Sequence, residues 1–312
     1  MAVRAGRGMA GSVFAINLAL RLRPIGVVAG LASLAAAALA ALLLAGAGHA
    51  RADARAAGPT IVSVNPCADA ILAEVADPAQ VLAISHYSAD PRSASMPADQ
   101  AARYRVTRGT VEAVLALHPD VVIDGSFIAP ATASAYQRLG LRLETVGTVN
   151  SLADARGQIR HLALIAGHPE RGEALIARID AALAAAAPPP GAPPVRAVMW
   201  ETGGMVPGDN TLIADLMRRT GFANAAAARG YAQADLLPLE QMLADPPQVI
   251  FTAAATDGHT ADADRVLSHP ALASLDGVHR AAFPPNLLYC GGPTIIRAAG
   301  QLAAARTRMF GQ

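Results

Sequence analysis

Val111-Glu112-Ala113-Val114-Leu115-Ala116-Leu117-His118-Pro119-Asp120-Val121-Val122-Ile123 and Leu239-Glu240-Gln241-Met242-Leu243-Ala244-Asp245-Pro246-Pro247-Gln248-Val249-Ile250 follow one pattern. Each has a helical start bearing a glutamate, a turn marked by proline, and a short β-branched run with the character of a buried strand. The same unit at the same relative place in two halves of a chain predicts two similar α/β bodies.

Working outward from the first copy, Thr60–Val64 reads as a strand and Cys67–Val75 as a helix entered through Asn65-Pro66. Val81–Ile84 is extended, Thr110–Leu117 helical, Val121–Ile123 a strand closed by Asp124-Gly125, Ala131–Leu139 helical and Leu143–Val146 extended. Around the second copy, Val195–Trp200, Gln248–Thr252 and Leu287–Tyr289 read as strands. Leu212–Thr220, Leu239–Leu243, Pro270–Ser274 and Thr294–Arg308 read as helices. Strands alternating with helices favour parallel βαβ units with right-handed connections. Between the halves, Ser151 caps a helix over Leu152–Ala166 that stops at Gly167-His168-Pro169. A new helix then runs over Glu170–Ala187 to Pro188-Pro189-Pro190. At ~1.5 Å per residue this rod spans roughly 27 Å. The expected fold is therefore α/β, two Rossmann-like lobes (55–168 and 191–312) bridged by a single long helix and its proline-rich turn (169–190).

The chain has 312 residues, is 53% apolar and only 16% charged, and carries a net charge of +1; its mean hydropathy is +0.33. That near balance offers no broad basic field, so a nucleic-acid partner is not expected. All 25 basic residues are arginine. A chain without lysine has neither a P-loop phosphate cradle nor a pyridoxal Schiff base. Part of the apolar excess lies in Ile25–Ala47, which is preceded by Arg4, Arg7, Arg21 and Arg23 and followed by Ala-x-Ala-like sites near Ala50–Ala54. Residues 1–54 read as a secretory signal, with a retained membrane anchor as the alternative, and both leave the rest of the chain in the periplasm. No cysteine follows the apolar run, so lipid anchoring is not expected. The two cysteines, Cys67 and Cys290, read first as small buried hydrophobes and second as a mutual bridge.

In open α/β sheets ligands gather beyond the carboxyl ends of the strands. The loops so selected hold Asn65, Cys67, His86, Tyr87, Arg108 and Phe127 in the first half, and Trp200, Tyr231, Tyr289 and Cys290 in the second. Five of the chain's 12 aromatic residues fall there, which suits a bulky planar or macrocyclic ligand. Catalytic patterns are lacking: there is no Gly-x-Ser-x-Gly elbow and no His-Glu-x-x-His, and Gly203-Gly204 does not complete a dinucleotide fingerprint. Of the histidines only His86 has a cleft position, and one imidazole does not make a metal site.

The combination Val62-Ser63-Val64-Asn65-Pro66-Cys67, the Val111–Ile123 stretch, Gly221-Phe222-Ala223-Asn224 and Leu239-Glu240-Gln241-Met242-Leu243 resembles the vitamin B12/ferric-siderophore periplasmic binding proteins of ABC importers. The likeness spans about residues 59–312. It implies a helical-backbone binding-protein fold with the ligand clasped between lobes. It also implies a monomer that delivers a ferric siderophore, haem or corrinoid to a permease dimer. No cofactor beyond the iron or cobalt of the ligand, and no catalysis, is implied. Glu240 matches a permease-docking glutamate, whereas its first-lobe counterpart falls at Ala70, leaving Asp69 beside it as the candidate. Tyr87 aligns with a cleft tyrosine of cobalamin binders, but their tryptophans are missing near Arg108 and Ala234. Arg108 would suit an anionic siderophore or haem propionate. The competing expectations are a zinc or manganese receptor built on His86 and an exported enzyme of related fold.

Overall fold

The computed structural model describes residues 58–253 and 269–311. The expected signal or anchor over 1–54 lies outside them. Among the described residues no helix is long and apolar enough to cross a membrane.

The first half forms a parallel sheet from β1 (Ile61–Ser63), β2 (Val81–Ser85), β3 (Val106–Thr107), β4 (Val121–Gly125) and β5 (Arg142–Val146), in the order β3-β2-β1-β4-β5. Helices α1 (Pro66–Val75), α2 (Ala98–Ala101), α3 (Val111–Leu115) and α4 (Pro130–Arg138) alternate with these strands. The β1 and β4 runs are buried, as expected of parallel strands covered on both faces. The second half forms another parallel sheet from β6 (Val195–Glu201), β8 (Phe222–Asn224), β10 (Val249–Ala253) and β11 (His279–Ala282), in the order β11-β10-β6-β8. A small antiparallel pair, β7 (Met205–Val206) with β9 (Asp235–Leu236), stands beside it. Its helices are α7 (Leu212–Arg219), α8 (Leu239–Ala244), α9 (Pro270–Ala273) and α10 (Thr294–Phe310).

One sequence expectation is corrected here. Leu287–Tyr289 is not a strand: Pro285–Leu287 forms a 3-10 turn and Tyr289 lies in a bend. Pro284 and Pro285 have no N–H for a ladder, so the strand beside β10 ends before them at Ala282. That strand, β11, is mostly exposed at an edge and shows no apolar run to betray it.

The halves are joined by α5 (Leu152–Ala166) and α6 (Pro169–Ala185). Ser151 caps α5 by accepting from the Asp154 amide at 3.1 Å, and Gly167 ends it in the left-handed conformation (φ 82°). The chain then turns back so that α6 lies on α5. A Cβ at Gly172 would fall 2.7 Å from that of Ala163, so glycine is what permits the close approach. The buried face of α6, Leu175, Ile176, Ile179 and Leu183, belongs to one hydrophobic cluster. That cluster includes Ile61, Val121 and Ile123 of the first sheet, Ala197, Met199, Val249 and Phe251 of the second, and Ile295 and Leu302 of α10. The lobes therefore share a core along the connecting helix.

Arg306 of α10 locks this junction. Only 4% exposed, it donates from Nη1 to the Ala186 and Thr220 carbonyls and from Nη2 to Ala187. These are the end carbonyls of α6 and α7, where a cation also meets the negative helix poles. Arg306→Ala should leave those carbonyls unpaired in the interior and lower stability by about 3 kcal/mol, read as the shift of the urea midpoint.

Candidate ligand-binding site

The carboxyl ends of β1, β4 and β5 open onto a cavity of 190 Å³ lined by residues of both halves. From β1, Asn65 supplies the N-cap of α1, its Oδ1 accepting from the Cys67 and Ala68 amides at 2.9 and 3.0 Å. Pro66 at the first helical position suits the same start. This leaves the Asn65 amide group beside Gly125, where a Cβ would come within 3.0 Å of Nδ2. From β4 come Gly125, Ser126 and Phe127, and from β5 come Gly147, Thr148 and Val149. Gln158 of α5 reaches in and donates Nε2 to the Gly147 carbonyl at 3.1 Å, while its Oε1 is buried without a partner. The Phe127 ring is 90% exposed, a large apolar surface left open at the cavity rim.

The second half contributes Tyr289, whose ring is 61% exposed and whose hydroxyl donates to Oε2 of Glu201 at the end of β6. Burial pushes the Glu201 carboxyl above its ordinary range. The Tyr289 hydroxyl is raised well above the usual phenol by its own burial and by that carboxylate, so it stays protonated and donates. Beside it Cys290 is bonded to Cys67, with Cα atoms 5.0 Å apart. The expectation of two separate small hydrophobes is thus corrected. The bend at Tyr289 carries Cys290 onto the first turn of α1, a juxtaposition that a separation of 223 residues hides in the sequence.

Of the residues selected from sequence, Asn65, Cys67, Phe127 and Tyr289 line the cavity, and Cys290 lies directly behind it as the partner of Cys67. The others do not converge there. Trp200 is 1% exposed and packs with Val198, Val206, Met242 and Ile250 in the core of the second half, because β6 directs it inward. Tyr231 lies against that same core and donates toward the Leu236 carbonyl and Gln241 Oε1 at 3.3 Å. His86 and Tyr87 begin the 3-10 turn His86–Ala89 and lie against each other at a tilt of 34°, with ring centroids 4.1 Å apart. Arg108 is exposed on the loop after β3. Among the described residues no three His, Cys, Asp or Glu side chains gather as a metal site.

Glu240 is exposed in the first turn of α8, open to a partner. Asp69 is not: it is fully buried, so its reading as a docking carboxylate is corrected. Its Oδ2 accepts from the Ser85 amide at 2.9 Å and the Ser88 hydroxyl at 2.6 Å. It thereby ties α1 to the turn that carries His86 and Tyr87. Burial, opposed only in part by these hydrogen bonds, pushes its carboxyl up to about 7. Sequence reasoning missed Gln158, a lone amide on a long helix with no local signal. It also missed the role of Glu201, whose partner lies 88 residues away.

Comparison with known proteins gives the family and the fold. Residues 61–280 match the family model described as periplasmic binding protein, and the chain belongs to that family. No curated protein matches the chain by sequence. Among solved structures it is similar to the periplasmic heme-binding protein RhuT from Roseiflexus sp. RS-1 in apo form. That likeness is 25% identical with a TM-score of 0.66 and covers 81% of this chain and 99% of that one. A periplasmic heme-binding protein from Pseudomonas aeruginosa aligns at 22% identity and TM-score 0.63, over 79% and 92% of the two chains. The periplasmic vitamin B12 binding protein BtuF of Vibrio cholerae aligns at 19% and 0.60, over 81% and 98%.

Asp69 gives the fold a distinctive pH dependence. The native chain holds a proton on this carboxyl up to about pH 7, whereas the unfolded chain releases it near 3.8. The contribution of Asp69 to stability is therefore greatest in acid and declines as pH rises between those values. From pH 5 to pH 8 the wild type should lose about 2 kcal/mol more than Asp69→Asn, measured by urea unfolding at both pH values. Equal losses in the two proteins would place the titration elsewhere.

Proposed function

We propose that this protein is a periplasmic receptor of an ABC importer that holds a bulky metal chelate, with the flat macrocycle haem the first candidate and a corrinoid or ferric siderophore next. Supporting this is a recess at the strand ends walled by two exposed rings, Phe127 from the first half and Tyr289 from the second. Rings left uncovered at a cavity mouth offer broad apolar contact at small entropic cost. The recess seats one edge of such a ligand, and the rest lies along the open rim. Asn65, Ser126, Thr148 and Gln158 supply neutral hydrogen-bonding groups around the seated edge. The heme-binding names of several similar structures and the vitamin B12 name of another favour the same ligand class. No bond chemistry is assigned: the protein captures and releases. Glu240 is the carboxylate placed to meet arginines of the permease, and the N-terminal apolar segment is the export signal.

The test is titration of the purified protein with haemin, cyanocobalamin and a panel of ferric siderophores, followed by absorbance and by quenching of protein fluorescence. Saturable one-to-one binding of one class is expected, weakened about tenfold in both Phe127→Ala and Tyr289→Ala. Absence of saturable binding for all three classes would overturn the reading.

A further inference from the structure

We infer that the Cys67–Cys290 cystine is what holds Tyr289 at the ligand cavity, so that ligand affinity depends on the oxidation state of that bond. The inference rests on the proposed reading of the cavity as the ligand site. Tyr289 is fixed at two ends to two different bodies. Its hydroxyl is tied to Glu201 at the end of β6, and its backbone neighbour Cys290 is bonded to Cys67 in the first turn of α1. Among the described residues, no backbone hydrogen bond involves the amides of Tyr289, Cys290 or Gly291. The noncovalent ties of this segment to the first half flank the tyrosine: Asn286 Nδ2 donates to the Ala94 carbonyl at 2.9 Å and Thr294 Oγ1 to that of Ser95 at 3.1 Å. Between them, the Ser95 hydroxyl donates to the cystine itself, at 2.7 Å from Cys290 Sγ.

The two glycines after the cystine show how closely the strap is drawn in. A Cβ at Gly291 would fall 2.8 Å from Val149 Cγ1, and one at Gly292 would fall 2.6 Å from Ile71 Cγ1. Val149 and Cys67 are themselves cavity-lining residues, so the strap and the cavity share a wall. Opening the bond removes the one covalent restraint on a stretch without backbone ties, and the ring that forms the second-half wall is then free to leave it. The chemistry is thiol–disulfide exchange with a dithiol reductant. Its thiolate attacks one sulfur, the mixed disulfide resolves, the protein gains two thiols and the reductant closes into its own disulfide.

The test compares oxidised and dithiothreitol-reduced protein, wild type and Tyr289→Ala, with circular dichroism confirming that each stays folded. Haemin is the probe, read at its Soret band. Reduction should weaken haemin binding about tenfold in the wild type and less than about twofold in Tyr289→Ala, which has no ring to lose. A second measurement needs no ligand: amide exchange over residues 286–292 should accelerate at least about tenfold on reduction. If reduced protein unfolds, oxidised Glu201→Leu tests the same restraint from the other end of the tyrosine and should also bind about tenfold more weakly. Unchanged exchange, unchanged wild-type affinity, or an equal loss in Tyr289→Ala each overturns the inference. Failure of oxidised wild type to bind haemin would count against haem as ligand, and the exchange result would still decide whether the cystine holds the strap.

Discussion

The apolar face of α6 is the constraint on which the rest of the structure depends. Leu175, Ile176, Ile179 and Leu183 are buried in a cluster that takes in strands from both sheets and the last helix. Two sheets whose cores run together through this helix and the helices packed on it cannot rotate far without exposing that surface, and apolar surface returned to water costs about 25 cal/mol per Å². Close packing across Gly172 and the Arg306 lock on the carbonyls at the ends of α6 and α7 add direction to a force that has none of its own. The cavity is thereby fixed where the first sheet ends and the second half begins.

Arg306, Asp69 and Glu201 are ionisable groups buried by this arrangement, and each is held by specific partners. Burial pulls the Arg306 guanidinium below its ordinary range, and carbonyl oxygens accept from it. Asp69 and Glu201 are likewise pushed toward the neutral form, because burial outweighs the hydrogen bonds they receive. Each carboxyl stands behind a turn or ring that it positions: Asp69 behind the His86–Ala89 turn, Glu201 behind the Tyr289 ring at the cavity. Polar groups are thus spent on positioning loops, while the cavity itself is lined by rings, aliphatic groups and neutral amides.

Much of the fold was legible because parallel sheets announce themselves. Buried strands such as Val121–Gly125 and Val249–Ala253 must be apolar on both faces, and proline and glycine mark where they stop. The strands that escaped notice, β3, β7, β8, β9 and β11, have two to four residues each, too few to carry a readable pattern. Membership in the periplasmic binding protein family followed from motifs whose spacing is local: a capped helix after β1, and a helix, turn and strand repeated in each half.

The site divides along the same line. Asn65 and Phe127 could be selected from the sequence because strand-end loops are predictable once the strands are, whereas the expected strand that pointed to Tyr289 does not form. Whether a loop residue faces the cleft depends on the register and packing of elements far apart in the chain, and this the tertiary structure alone decided. It turned Trp200 and Tyr231 into packing residues, buried Asp69, joined Cys67 to Cys290, and brought Gln158 and Glu201 to the cavity or its supporting shell. Periodicity and turn chemistry act between neighbours, so one chain's text records them. Convergence across 88 or 223 residues is set by which faces the shared core buries, and no single stretch of sequence contains it.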